Sequence, residues 1–124
     1  MVIYHGCGNI NSILPDYIEI GIDAMNPLEA KADLDAVTLR RQYGNKLGIC
    51  GNSSIQIWET GDRRQIRKEV LRKLNVARDG GYIFQSDHSV SAGVSGQTYD
   101  YIVNLVREYG QYPLHLDEFD EANL

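Results

Sequence analysis

The chain consists of four successive units in which a short apolar segment is followed by a helical pattern. The apolar segments cover 2–4, 22–25, 47–50 and 82–84. Apolar residues then recur at helical spacing within 10–18, 33–43, 63–77 and 99–109. Alternating strands and helices predict an α/β fold of four consecutive βα units with parallel strands. Such a set is half of an eight-stranded α/β barrel, and a small open α/β sheet is the alternative.

Length and composition are those of one globular domain. The chain has 124 residues, of which 43% are hydrophobic and 23% charged. We assign 1–116 to the half-barrel domain and the Asp- and Glu-rich segment 117–124 to an acidic tail. No apolar run reaches the roughly 20 residues of a membrane helix, and no secretory signal is evident. We therefore expect no membrane partner.

The net charge and the cysteine content limit which binding partners and which cellular location we expect. The net charge of −5 argues against nucleic acid as the main partner. Seven of the 12 basic residues lie within 63–78, which we interpret as the solvated outer face of an amphipathic helix. Cys7 and Cys50 cannot form a disulfide framework, so we predict a reducing, cytoplasmic location with free thiols.

Polar residues collect where the predicted strands end. In α/β folds these carboxyl ends meet at one edge of the sheet and bind ligands. We therefore expect side chains as distant as those at positions 5, 7 and 88 to converge. The residues predicted to contact a small-molecule substrate are Asn26, Glu29, Cys50, Asn52 and Gln85.

His5 and Cys7 form a possible metal-binding pair. Residues two apart in an extended segment point to the same side, and zinc accepts both imidazole and thiolate. A catalytic zinc has three protein ligands, and His88 is our assigned third ligand. The other candidates for the third position are Asp87, Glu29 and Cys50. The alternative is a loop histidine bonded to backbone beside a buried cysteine.

Asp87 and His88 are the predicted catalytic pair. A neighbouring carboxylate would raise the pKa of an imidazole and favour its cation, giving an acid–base or anion-binding group. The alternative is that Asp87 caps the turn that follows it and leaves His88 exposed. Trp58 is assigned to packing.

The ordered set of motifs resembles the carboxy-terminal half of the uroporphyrinogen decarboxylase (URO-D) and corrinoid methyltransferase superfamily. The similarity extends to about Leu116 and implies half of a TIM (β/α)8 barrel. The segments that carry it are His5-Gly6-Cys7-Gly8, the run 14–24, Asn26-Pro27, Cys50-Gly51-Asn52, the run 80–90 and Arg107-Glu108-Tyr109-Gly110.

The resemblance implies two chemistries. Methyltransferases of this superfamily move methyl groups between corrinoid proteins and thiols, through zinc held by a His-x-Cys pair and a later Cys. His5 and Cys7 match that pair, but the later Cys is replaced within Gln85-Ser86-Asp87-His88, so His88 or Asp87 would substitute. Decarboxylases remove acetate carboxyls from a tetrapyrrole without a cofactor, and His88 aligns with a substrate-contacting histidine there. Corrinoid or tetrapyrrole is expected as substrate rather than as a tightly bound cofactor.

The resemblance also implies an incomplete barrel. The arginine-rich substrate loop and key acidic residue of the decarboxylases belong to the amino-terminal half. A half barrel exposes two strand edges and its inner face, which a homodimer or a separate amino-terminal half-barrel would cover. We therefore expect a methyltransferase-like parent family and low or no independent activity of this chain. The alternatives are a uroporphyrinogen decarboxylase and a non-catalytic scaffold or interaction fragment.

Overall fold

Nine helices and strands occupy the part of the chain that the computed structural model describes, residues 1–116. The acidic tail predicted for 117–124 lies outside these described residues. The strands are β1 (Ile3–Gly6), β2 (Ala24–Pro27), β3 (Gly48–Cys50) and β4 (Tyr82–Ile83). The helices are α1 (Leu14–Glu19), α2 (Ala36–Tyr43), α3 (Ile55–Glu59), α4 (Arg63–Asn75) and α5 (Gly96–Tyr109), with short 3-10 turns at Ala30–Ala32 and Gly44–Lys46.

The four strands form one parallel sheet in the order β1-β2-β3-β4. Each strand is joined to the next through at least one helix on the chain between them, as the alternation predicted. The fold is therefore α/β, and it is consistent with half of a TIM barrel. Pairing continues to the register pair Gly6 and Pro27, so His5, predicted to follow β1, lies within it.

One face of the sheet is packed, and the other is open at its two edge strands, although Ala24 and Cys50 in its centre are buried. Met25 and Ile49, which are register partners, are buried beneath the helices in the hydrophobic core. The alternate positions point to the opposite face, where Ile3 is 45% and Ile83 55% exposed. The open face is the one that a closed barrel would place inside, as expected for a half barrel.

A capping side chain precedes three of the helices, α2, α4 and α5. Asp62, the residue directly before the helical pattern at 63–77, caps α4 by accepting from the Arg64 amide at 2.9 Å. α2 begins at Ala36, three residues later than predicted, because Asp35 is its cap and accepts from the Thr38 amide at 3.0 Å. Asp33, the predicted first residue, instead has a left-handed backbone (φ 61°) that ends the preceding turn.

Lys73 contradicts our interpretation of α4 as having a simple solvated basic face. Its side chain is 3% exposed, donates to Asn52 Oδ1 at 2.7 Å and lies 3.3 Å from Asp35 Oδ1. Arg72 donates two hydrogen bonds to the same carboxylate, at 2.6 and 3.0 Å. Burial alone would raise the pKa of Asp35, but the Arg72 and Thr38 hydrogen bonds and the Lys73 charge hold it well below its ordinary value. This cluster ties α2 to α4.

None of the helices within residues 1–116 is both long enough and apolar enough to cross a membrane.

Candidate functional site

His5 and Cys7 lie together at the carboxyl end of β1. The His5 Nε2 and Cys7 Sγ atoms are 3.7 Å apart, within reach of a weak S–H hydrogen bond. Both side chains line a cavity of about 220 Å³. The other residues that line this cavity are Pro27, Gln85, Ser86, His88 and Ser89. The sheet thus brings positions 5, 7 and 88 to one site, as the parallel topology predicted.

Asn26 is the partner of the His5 ring. The two residues are register neighbours on β1 and β2, and Asn26 Oδ1 lies 2.8 Å from His5 Nδ1. The Asn26 amide nitrogen donates to Gln85 Oε1 at 3.2 Å and to the Cys50 carbonyl at 3.4 Å. Of the predicted substrate-contacting residues, Asn26 therefore already bonds to other site residues, and Gln85 also lines the cavity.

Glu29 anchors the loop that carries Cys7. Its carboxylate is 5% exposed, accepts from the Gly8 amide at 2.6 Å and lies 3.3 Å from Lys31 Nζ. The Gly8 hydrogen bond, with the Lys31 and His88 charges, holds the pKa of Glu29 below its ordinary value despite burial. Glu29 therefore stabilises the loop that carries Cys7 without lining the cavity itself. Its position after Asn26-Pro27 in the sequence did not indicate this role.

Asp87 and His88 point in different directions. Asp87 is 1% exposed and accepts from two backbone amides, those of Ile55 at 2.9 Å and Ala30 at 3.0 Å. His88 is exposed in the cavity wall, whereas Asp87 does not line that cavity. His88 is exposed, as in the alternative we considered, but Asp87 accepts from the first turn of α3 and from Ala30 instead of from the turn that follows it. A catalytic role for Asp87 stays a prediction. Both oxygens of its carboxylate already accept hydrogen bonds from backbone amides.

The two predicted site residues at the carboxyl end of β3, Cys50 and Asn52, are buried and do not line the cavity. Asn52 is fully buried, and all four of its amide hydrogen-bonding positions are taken by protein groups. Cys50 is also buried, which raises the pKa of its thiol and disfavours the thiolate that metals and electrophiles require. Neither residue lines the cavity, so the substrate contacts predicted for Asn52 and Cys50 stay predictions.

The His5–Cys7 pair fits two positions of a zinc site. With a Zn–N distance of about 2.1 Å and a Zn–S distance of about 2.3 Å, two tetrahedral ligands lie about 3.6 Å apart. The 3.7 Å between Nε2 and Sγ agrees with that separation. Among residues 1–116, however, no three His, Cys, Asp or Glu side chains are arranged to hold a metal ion. His88 shares the cavity without completing the set.

A second cavity, which the sequence analysis did not predict, lies beside the residues that follow β4. It measures about 300 Å³ and shares Gln85 and Ser86 with the first. Its remaining wall is mostly apolar and comes from Trp58, Phe84, Val90, Tyr99, Ile102, Val103, Val106 and Arg107. The apolar spacing of α5 was the available signal, but it is equally typical of a helix packed in a core.

Comparison with known proteins identifies the family. No curated protein and no solved structure matches the chain. A family model described as uroporphyrinogen decarboxylase (URO-D) matches residues 1–109. That range contains all four strands, the cavity residues and, apart from Gly110, the motifs that carried the resemblance. The chain belongs to the uroporphyrinogen decarboxylase (URO-D) family.

Proposed function

We propose that this chain supplies a thiol-activating zinc site to a methyltransferase that moves methyl groups between a corrinoid and a thiol. The observation that carries the proposal is the His5–Cys7 pair, with Nε2 and Sγ at liganding separation in a cavity at the strand ends. An imidazole and a thiolate form a donor set typical of zinc. Corrinoid and thiol are substrates in this proposal, and zinc is the cofactor.

The residues around the cavity define what the chain itself would do. His5 and Cys7 would hold the metal, and His88 in the same wall is our choice for the third ligand. Bound zinc would lower the pKa of a thiol substrate and favour its thiolate. Ser89 and the Gln85 amide would orient a polar substrate, while the buried Glu29 keeps the Cys7 loop in place.

Zinc content of the purified full chain tests this function. We expect close to one zinc per chain, or per assembled barrel, after equilibration with Zn²⁺ and desalting. Cys7→Ser should lose the metal, because an alcohol is a much poorer zinc ligand than a thiolate. Cys50→Ser is the matched control and should retain the metal, because Cys50 lies buried outside the cavity wall. Metal-free wild type, or equal zinc in both variants, would contradict the proposal.

Decarboxylation of a tetrapyrrole acetate is the second candidate function. It is favoured by the exposed imidazole of His88 in the cavity wall, where it could deliver a proton to the carbon that loses its carboxyl group. Binding of a tetrapyrrole, lost in His88→Ala and unaffected by Cys7→Ser, would support this function over methyl transfer. A chain that binds neither zinc nor tetrapyrrole would be a non-catalytic scaffold.

We infer that the site is completed by a second half-barrel, either another copy of this chain or a separate amino-terminal half. Exposed large apolar residues lie at both ends of the sheet order. Val2, Ile3 and Tyr4 lie at the β1 edge, and Ile83 lies at the β4 edge. Four further strands would pair both edges and close an eight-stranded barrel, which removes exposed edges altogether. A cytoplasmic, reducing setting suits the two free thiols.

Native mass measured by light scattering tests this assembly. We expect a mass of two chains of 14.0 kDa at micromolar concentration, or a stable complex with an added amino-terminal half-barrel of a URO-D-family protein. Ile83→Glu should weaken either assembly, because it puts a charge on the open face. Lys46→Glu, in the turn before the central strand β3, is the control and should not. A chain that stays monomeric and also does not bind the added half-barrel would contradict the inference.

A further inference from the structure

The side-chain amide of Asn26 lies against one of the two nitrogens of the His5 ring. A neutral imidazole carries its proton on one nitrogen and a lone pair on the other, and only the lone pair can bind a metal. In His5, Nδ1 faces Asn26 Oδ1 at 2.8 Å, and Nε2 faces Cys7 Sγ at 3.7 Å. Which tautomer forms therefore depends on whether the amide presents oxygen or nitrogen to Nδ1.

The Cys50 carbonyl fixes the orientation of the Asn26 amide, and the amide of Gln85 can adapt to it. The Cys50 carbonyl can only accept a hydrogen bond, and it lies 3.4 Å from Asn26 Nδ2. Gln85 Oε1 accepts from the same nitrogen at 3.2 Å. With its NH₂ group directed to β3 and the β4 exit, the amide must direct its oxygen to His5. Asn26 Oδ1 then accepts from Nδ1–H, and the Nε2 lone pair is left on the Cys7 side.

We propose that Asn26 is a positioning residue that holds His5 in the Nδ1–H tautomer, with Nε2 free to act as a metal ligand beside Cys7. The role differs from the substrate contact predicted for Asn26, and its consequence for metal binding rests on the proposed function. A hydrogen-bond acceptor behind a metal-binding histidine is a general device, and its loss lowers metal affinity by about 10–100-fold.

The first test uses the metal-free full chain and does not depend on zinc. ¹⁵N NMR of the imidazole ring distinguishes the two tautomers directly. We expect the wild type to show Nδ1–H with an unprotonated Nε2, and Asn26→Ala to show a mixture. Asn26→Asp should keep the wild-type pattern, because a carboxylate oxygen still accepts from Nδ1–H. A dominant Nε2–H tautomer in the folded wild type would overturn the proposal.

The second test measures affinity for Zn²⁺ or Co²⁺ alone by competition with a chelator. Asn26→Ala should bind about 10–100-fold more weakly, and Asn26→Asp should restore binding. Gln85→Ala should cause a smaller loss, because the Cys50 carbonyl still orients the amide. Circular dichroism checks that each variant folds. Equal affinity in Asn26→Ala and wild type would overturn the positioning role. Absence of metal binding in the wild type would reject the zinc function, while the tautomer measurement would still decide the role of Asn26.

Discussion

Replacing Asn52 with alanine is expected to lower the free energy of unfolding by about 3–5 kcal/mol. The side chain has no exposed surface, and each of its polar atoms is used. Its Oδ1 accepts from the Ala36 amide and from Lys73 Nζ, both at 2.7 Å. Its Nδ2 donates to the carbonyls of Leu28 at 2.6 Å and Leu34 at 2.8 Å. One amide thus joins the β2 exit, the start of α2 and the buried face of α4.

The large loss of stability expected for Asn52→Ala comes from the four hydrogen-bond partners of Asn52 that would remain buried without it. Removing one member of a buried hydrogen bond leaves the other without water or protein, and each such group costs about 1–3 kcal/mol. Lys73 is the most sensitive partner, because it is a buried cation whose remaining contacts are Asp35 and Glu69. The substitution removes one hydrogen bond from this charged donor, and a hydrogen bond to a charged group contributes about 1.5–3 kcal/mol, more than one between neutral groups. The effect is therefore expected to exceed that of an ordinary surface substitution several-fold.

Urea denaturation of three variants separates the hydrogen bonds from the backbone. Asn52 has a left-handed backbone (φ 68°), which alanine tolerates less well than asparagine or glycine. Asn52→Gly removes the amide but relieves that strain, so we expect it to remain within about 1–2 kcal/mol of Asn52→Ala. Asn11→Ala, at an exposed asparagine, should change stability by less than about 0.5 kcal/mol. Recovery of wild-type stability in Asn52→Gly would show that backbone strain, not the buried network, makes Asn52 necessary.

The fold was predictable because its signals are local and repeated. Alternation of apolar strands with helical spacing dictates parallel pairing, since antiparallel neighbours would not require a helix between every two strands. The same topology predicted that His5, Cys7 and His88 share a site, and they line one cavity. Helix starts were predictable where a capping side chain is decisive, as at Asp62. They were misplaced at α2, where Asp33 and Asp35 are equally plausible from sequence and only the latter caps.

The direction of each polar side chain at a strand end was not predictable. Sequence places Asp87 and His88 side by side, but one faces two buried amides and the other faces the cavity. The backbone conformation at each position decides which of the two directions the side chain takes. That conformation depends on contacts with loops that are distant in the chain. Glu29 and Asn52 likewise satisfy amides and carbonyls that become neighbours only after folding. The burial of Lys73 on a basic helix depends on the same long-range contacts.

Gly51 gives the other large expected effect. We expect Gly51→Ala to destabilise the chain by about 3–5 kcal/mol, from backbone strain and steric overlap together. Gly51 has φ 103°, a conformation that residues with a side chain rarely adopt. A Cβ there would lie directly against the Pro27 carbonyl oxygen and 3.2 Å from the Ser86 carbonyl oxygen. Both obstacles are backbone atoms of neighbouring strand exits, so neither can move away independently of the sheet.

Gly44→Ala is the matched control for this substitution. Gly44 also has a positive φ, 57°, but a Cβ built on it meets no atom within 4 Å. It should therefore cost only the backbone strain of about 1–3 kcal/mol. The difference in stability between the two variants, measured by urea denaturation, then reports mainly the overlap at Gly51. Equal losses in both would show that the strand exits separate freely. Because Pro27 and Ser86 line the His5–Cys7 cavity, a larger loss in Gly51→Ala should be accompanied by shifts in the His5 and His88 ring resonances, which Gly44→Ala should leave unchanged.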